Sequence, residues 1–340
     1  MSREEFGPTR DDLAQCLEKR EYSISEILKQ RGVSRRDFLK FCSAITAAMA
    51  LPASFAPSVA EALDEVKRPI LVWMEFQDCA GDTEALLRSA NPTVGEILLD
   101  ILSLDYHMTI MAAAGYQAEA TLEKIVADHK GKYICVVEGS IPTKDGGIYG
   151  CVGGKSHLDR ARLVCGNAAV TVAVGTCATH GGLSAADPNP TGAAGVKEAI
   201  PGITVVNLPG CPVNPDNLTA TIMHYLVFGK IPDLDSFGRP LFAYGKRIHL
   251  SCERRPFFDS KQYVKDWGDE GHLKGFCLYQ MGCKGAATHH NCNTQRYNEK
   301  TSWPVASGHP CAGCSEPNFW DTMGSLYKRQ PKICGMFDCS

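Results

Sequence analysis

Sixteen cysteines in 340 residues constrain this chain more than any other feature. They are too many for ordinary core filling and too scattered for a small disulfide scaffold. In the second half they form short clasps: His249-x2-Cys252, Cys277-x5-Cys283, Cys292 and Cys311-x2-Cys314. From about Gly245 onward hydrophobic periodicity fades, and Gly, Pro, Asn and aromatic residues dominate. A segment with so little regular structure needs stability from elsewhere, and metal ligation can supply it. Zinc takes Cys and His at x2 spacing, but separated clasps of this kind do not divide neatly into tetrahedral pairs. Disulfides are a second reading, favoured by export. Iron–sulfur clusters, which take thiolates and tolerate one His ligand, fit the set with the least strain. The residues alone leave all three open.

Upstream the pattern changes. Ile70 to Met74 is a short apolar run suited to a buried strand, and Gln117 to Lys130 carries Ala118, Leu122, Ile125 and Val126 at helical spacing. Tyr133 to Val137, Val170 to Val174 and Ile203 to Val206 read as further strands, Leu158 to Ala168 and Pro215 to Phe228 as helices. Such alternation predicts an α/β fold, a flavodoxin-like doubly wound parallel sheet over residues 67–235. An irregular cysteine-rich domain over 245–327 and a tail over 328–340 follow. Cys79, Cys177 and Cys211 each fall just past a predicted strand. In an open sheet the carboxyl ends of the strands converge on one crevice, so these three cysteines are expected to meet there.

Residues 1–62 read as an address. Ser34-Arg35-Arg36-Asp37-Phe38-Leu39-Lys40 leads into an uncharged run from Phe41 to Ala60, the layout of a twin-arginine export signal. Ala60-Glu61-Ala62 offers cleavage before Leu63, and Ser58-Val59-Ala60 is a second candidate. A run of that length could just span a bilayer, but its Ala, Ser and Thr content, with Pro52 and Pro57, keeps it weakly hydrophobic. The expectation is an exported, periplasmic chain, held at a membrane only through a partner. An export route suited to proteins that fold around cofactors before crossing weighs against disulfides. A net charge of −3 excludes a strongly basic nucleic-acid binder, and 44% apolar with 21% charged residues excludes a disordered polymer or a polytopic membrane protein.

Several short motifs occur in a fixed order: Val72-Trp73 before Cys79, Ser103-Leu104-Asp105-Tyr106, Met111-Ala112-Ala113-Ala114-Gly115, and Gly175-Thr176-Cys177-Ala178. Asn189-Pro190-Thr191, Pro209-Gly210-Cys211-Pro212, Arg247-Ile248-His249 and Gly308-His309-x-Cys311-x2-Cys314-Ser315-Glu316 follow. Together, over residues 34–327, they resemble the small subunit of nickel–iron hydrogenases. The resemblance implies three clusters in a line, carrying electrons from a nickel–iron site on a separate large subunit to an external acceptor. Carried over, Cys79, Cys177 and Cys211 would hold a proximal [4Fe–4S] cluster, and His249, Cys252, Cys277 and Cys283 a distal [4Fe–4S] cluster. Cys292, Cys311 and Cys314 would hold a medial [3Fe–4S] cluster, with Pro304 standing where a fourth cysteine would be. One thiolate fewer removes negative charge, so the medial cluster is expected to be the easiest to reduce. The resemblance also implies hydrogen uptake, with a membrane cytochrome b or other quinone-linked acceptor, and leaves room for a dimer of heterodimers. A hydrogen-sensing complex is the nearest alternative, and the export signal weighs against it. An exported binding protein stabilised by zinc or disulfides is the alternative from another class.

One position departs from the family. Its C-x-x-C proximal motif here reads Cys79-Ala80-Gly81-Asp82. Asp82 is expected to be the fourth proximal ligand, a harder donor than thiolate. The exchange is similar to one in an oxygen-tolerant, actinobacterial-type branch. Gly81 and Gly182 stand where the six-cysteine branch has its extra cysteines. The competing reading makes Asp82 the N-cap of a helix from Thr83 to Ser89, with Glu84, His180 or water on iron. Of the other cysteines, Cys135 is expected to be buried and inert, Cys151 and Cys165 to be structural, and Cys16 and Cys42 to lie in the leader. Cys334 and Cys339 could pair or contact a partner. His289, His290 and His309 lie near cluster cysteines, which they would either orient by hydrogen bonds or leave for solvent.

Overall fold

A computed structural model describes residues 22–90 and 92–323. Cys16, Cys334, Cys339 and the predicted tail lie outside them. Five strands form the central sheet: β1 (Ile70–Glu75), β2 (Ser103–His107), β3 (Ile134–Glu138), β4 (Val170–Val174) and β5 (Val205–Leu208). All neighbours are parallel and the order is β2-β1-β3-β4-β5, the flavodoxin-like doubly wound arrangement expected. The period of two along each strand sorts side chains to opposite faces. Leu71, Trp73, Ile134, Val136, Val170 and Val172 enter one apolar core; Val72, Met74, Cys135, Val137 and Ala173 enter the other.

Eight helices matter to the argument: α1 (Ile24–Gln30), α2 (Arg35–Ala48), α3 (Ala56–Glu65), α4 (Gly81–Leu87), α5 (Tyr116–Asp128), α6 (His157–Cys165), α7 (Gly175–His180) and α8 (Pro215–Phe228). Leu122, Ile125 and Val126 of α5 and Leu158, Ala161 and Val164 of α6 cover one face of the sheet, and Leu218, Ile222 and Met223 of α8 cover the other. β5 begins two residues later than its apolar run predicts, and α6 ends at Cys165 because Gly166 closes it. β2 carried no clean strand pattern, since it lies at the sheet edge with its middle residues only half-buried.

Register decides where the site lies. Glu75 stands opposite Glu138, Glu138 opposite Val174, and Val174 opposite Leu208. Four strands therefore stop level, and the loops leaving them open on one crevice.

The N-terminal segment is folded onto this body. Ile24, Cys42, Ile45, Val59 and Leu63 are buried in the same core as Leu218, Ile222 and Met223, and α2 and α3 both pack on α8. Burying each of the large aliphatic side chains contributes about 1.5–3 kcal/mol. Arg31 Nε meets the buried Asp100 Oδ1 at 2.7 Å, closing the layer against the sheet's helical cover. Arg35 and Arg36, in the first turn of α2, face solvent together with Lys40. Among the described residues, no helix is long and apolar enough to cross a membrane.

From Gly245 onward the regular elements are single turns such as Ile248–Ser251, Leu278–Met281 and Cys292–Gln295. Their apolar core is small, built around Ile248, Val264, Leu278, Met281, Trp303 and Val305. Polar contacts fasten this half to the sheet. Asn217 and Asn291 exchange amide hydrogen bonds of 2.9 and 2.8 Å, Asn214 Nδ2 donates to Arg296 O at 2.6 Å, and Thr176 Oγ1 donates to Cys314 O.

Candidate metal centres

The loop after β1 carries Cys79, α4 carries Asp82 in its first turn, α7 follows β4 and carries Cys177, and Cys211 follows β5. These four groups meet in the crevice. Burial first, then the negative charges of Asp82 and Cys79, push the Cys177 thiol up to about 11. Cys211 is pushed up to about 12 by burial and by Cys314, Cys177, Asp82 and Cys79. Cys79 and Cys211 reach the surface, so the group sits at an open rim. Two glycines allow the approach. A Cβ at Gly175, whose φ is +75°, would collide with the Asp82 carboxylate, and one at Gly182 with Cys177 Sγ.

The N-cap reading of Asp82 is overturned. The residue preceding α4 is Ala80, in the left-handed region, and it makes no side-chain cap. The cap comes instead from the end of β3: Glu138 Oε1 accepts from Asp82 N at 2.8 Å, and Oε2 accepts from Thr83 N at 3.1 Å and Thr83 Oγ1 at 2.5 Å. Trp73 Nε1 donates to the same carboxylate at 3.1 Å. Asp82 is left to face the cysteines, buried, with Oδ1 accepting from Val213 N at 2.6 Å. Burial and the Glu138 charge raise its carboxyl to about 7. Glu84 points to solvent and pairs loosely with Arg88 at 3.9 Å. His180 packs edge-on against Phe237 at 6.2 Å.

Glu138 is the residue that sequence reasoning missed. Its signal is an acid closing an otherwise apolar strand, immediately before Gly139 at the crevice. A second buried group lies behind it. His107 stacks on Trp73 at 5.2 Å, and its Nδ1 accepts from Thr109 N at 3.2 Å. That nitrogen carries no proton, so its 3.6 Å approach to Glu75 is not an ion pair. Burial lowers the ring to about 4, well below the ordinary value near 6.5 that the unfolded chain keeps. The unfolded state therefore takes up the proton first on acidification. Stability from this residue is complete above about pH 6.5 and is lost as pH falls toward 4, at up to about 1.4 kcal/mol per pH unit. His107→Phe keeps an aromatic ring on Trp73 and is expected to flatten the fall of the thermal unfolding midpoint between about pH 6.5 and 4.5. An unchanged slope would mean that the ring is charged in the fold.

The second thiol group lies in the irregular half. Cys252 ends the turn Ile248–Ser251, while Cys277 and Cys283 bracket the turn Leu278–Met281. Burial raises all three thiols, and each of Cys252 and Cys277 is raised further by Cys283. Backbone N–H groups already point at these sulfurs: Arg254 N lies 3.4 Å from Cys252 Sγ and Cys311 N 3.3 Å from Cys283 Sγ. His249 is buried on the same turn as Cys252. Its backbone N–H donates to Gly285 O at 3.2 Å, and its ring meets Phe258 edge-on at 4.5 Å.

Cys292, Cys311 and Cys314 line a cavity of about 620 Å³ that also reaches Gly81 and Cys211. His290, Trp303 and Pro304 share its wall. Burial raises the three thiols, with Cys314 next in raising Cys292. Cys311 is raised by Cys283 as well as by its own group, and Cys211 by Cys314. The three thiol groups thus form one chain of electrostatic neighbours, from the rim of the sheet through the cavity to the turn at Cys252.

The remaining residues divide. Cys135 and Cys165 are buried with sulfurs 3.8 Å apart, away from the crevice, and Cys42 is buried in the N-terminal layer. Cys151, expected to be structural, is exposed on a hairpin. His289 Nδ1 lies 3.1 Å from Glu316 Oε1, and His309 is exposed beside Trp267. His290 is buried, and burial pushes its ring down to about 4.

Residues 244–327 match the family described as the C-terminal part of the NiFe/NiFeSe hydrogenase small subunit, and residues 79–225 the family of the NADH ubiquinone oxidoreductase 20 Kd subunit. The periplasmic [NiFe] hydrogenase small subunit 1 of Nitratidesulfovibrio vulgaris is 48% identical over 305 residues, which cover 89% of this chain and 96% of that one. The quinone-reactive Ni/Fe-hydrogenase small chain of Wolinella succinogenes is 45% identical over 300 residues, covering 88% and 84%. Among solved structures, the reduced, active Ni-Fe-Se hydrogenase from Desulfomicrobium baculatum superposes with a TM-score of 0.73 at 33% identity, covering 78% of this chain and all of that one.

Proposed function

This chain belongs to the small-subunit family of nickel–iron hydrogenases, and from that premise we propose that it relays electrons from hydrogen oxidation on a large subunit to a quinone-linked acceptor, through three iron–sulfur clusters. Cys79, Asp82, Cys177 and Cys211 would hold a proximal [4Fe–4S] cluster. His249, Cys252, Cys277 and Cys283 would hold a distal [4Fe–4S] cluster, and Cys292, Cys311 and Cys314 a medial [3Fe–4S] cluster. When bound, these clusters supply one-electron transfer. The donor set fits them: soft sulfurs in groups of three, one joined by a carboxylate and one by an imidazole.

The observation that carries the reading is the unbroken succession of thiol groups from Cys177 and Cys211, through Cys314 and Cys311, to Cys283 and Cys252. Each residue has a definable task. Cys177, half-buried, and Cys211, exposed at the rim of the crevice, have thiols held above the ordinary range, so iron bound there would have to displace their protons. Asp82 closes the proximal set. Arg254 N and Cys311 N donate to distal sulfurs, which favours the reduced state of that centre. Residues 67–235 form the flavodoxin-like unit of this proposal and 245–327 the cluster unit. Residues 1–62 act as a twin-arginine address to the periplasm, where a membrane cytochrome b accepts the electrons.

Iron and acid-labile sulfide, counted per chain on anaerobically purified heterodimer, test this. About eleven irons are expected, from two four-iron clusters and one three-iron cluster. About seven would mean that Cys79, Asp82, Cys177 and Cys211 hold none. Zinc without sulfide would overturn the reading.

A further inference from the structure

The cavity wall beside Cys292, Cys311 and Cys314 contains two nitrogen-bearing rings whose polar atoms are fully buried and find no hydrogen-bond partner among the described residues: His290, at both Nδ1 and Nε2, and Trp303, at Nε1. Leaving a buried donor unsatisfied costs about 1–3 kcal/mol, and each such group in a folded protein calls for a reason. The His290 ring is also rigidly held. Tyr244 meets it edge-on at 5.0 Å and is itself anchored by donating to Pro209 O at 2.8 Å, while the His290 backbone donates to Lys246 O. The nearest residues of the same segment do have partners: His289 bonds Glu316, and Thr288 Oγ1 donates to Lys284 O at 2.8 Å.

We propose that His290 and Trp303 are positioning residues for the medial centre, each donating an N–H hydrogen bond to a sulfur of the cluster that Cys292, Cys311 and Cys314 hold. The inference rests on the proposed function and adds to it the source of that centre's potential. A neutral imidazole has one N–H to give, and an indole has only its N–H. Reduction adds negative charge to the cluster sulfurs, so donors aimed at them favour the reduced state and raise the potential.

Pulsed EPR of the oxidised three-iron signal in heterodimer labelled with [15N]histidine should reveal a weak nitrogen coupling that His290→Phe removes. In a redox titration, His290→Phe should lower the ratio of reduced to oxidised medial cluster at a fixed potential about tenfold, the order expected for one lost hydrogen bond to a charged group. That equals a midpoint about 59 mV more negative for a one-electron couple. Trp303→Phe should shift it in the same direction, and His290→Asn, which keeps an N–H, should shift it less. The distal midpoint should not move. A strong coupling typical of nitrogen bound to iron, or no coupling and no shift, would overturn this inference alone. Absence of any three-iron signal in the unmodified protein would overturn the medial assignment and this inference with it.

Discussion

Asp82→Ala should remove iron from the proximal centre and cut hydrogen-driven reduction of a dye by more than about 100-fold, whereas Asp82→Cys should restore the iron with an altered spectrum. Losing a group that merely supports a metal ligand costs about 10–100-fold, and loss of a ligand exceeds that. The expectation rests on how the carboxylate is freed for the task. Glu138 already satisfies the N–H groups of Asp82 and Thr83, so α4 does not need Asp82 as its cap. Val213 N fixes one carboxylate oxygen at 2.6 Å, two residues beyond Cys211. With its carboxyl raised to about 7, Asp82 loses its proton to solvent near neutrality and would offer iron a ready carboxylate, whereas thiols raised to about 11 or 12 would lose theirs only as the metal binds. Full iron and an unchanged proximal signal in Asp82→Ala would show that the carboxylate is no ligand.

Arg239→Met should destabilise the chain by about 3–5 kcal/mol, the cost of breaking a buried ion pair from one side. The guanidinium is almost fully buried. Its Nε meets Asp235 Oδ2 at 2.7 Å, and its Nη1 donates to Ser315 O at 3.1 Å and Glu316 Oε2 at 3.3 Å. Glu316 in turn accepts from His289 N at 2.5 Å. One side chain thus joins the loop after α8 to the segment just past Cys314, and its removal strands two carboxylates. Arg239→Lys should not rescue, because an ammonium cannot serve three acceptors in a fixed fork. Denaturant unfolding measures the loss, and restoring neutrality with Asp235→Asn and Glu316→Gln should recover part of it. A change below about 1 kcal/mol would mean that the Arg239 ion pairs add little to the other contacts between the two halves.

The sheet was largely legible because β1, β3 and β4 are apolar runs buried on both faces, and α8 is bounded by Pro215 and Gly229. The convergence of Cys79, Cys177 and Cys211 followed from the ends of β1, β4 and β5. What escaped depends on distant partners. The cap of α4 lies 55 to 56 residues away in Glu138, beyond any local signature, so the short-range rule assigned it to Asp82. β2 is an edge strand with partly wet side chains, and an alternation that weak does not separate strand from loop. Trp303 looks like an ordinary core residue, and His290 reads equally as a neighbour that orients a cysteine and as a solvated loop residue, until the cavity between them is seen. Residues 1–62 read as an address, and the packing of Ile24 and Ile45 into the core escaped, since the same apolar residues serve either use.

That packing separates two events usually treated as one. Scission of the chain before Leu63 would divide α3, yet α1 and α2 would still be gripped by Arg31 on Asp100, by the Ile24 N to Val66 O bond of 3.0 Å, and by Cys42 and Ile45 in the core. The severed peptide would behave as a bound ligand of its own parent, leaving at the pace of a local opening and not at the pace of the protease. A denaturing gel would then count two polypeptides where the native particle still holds both.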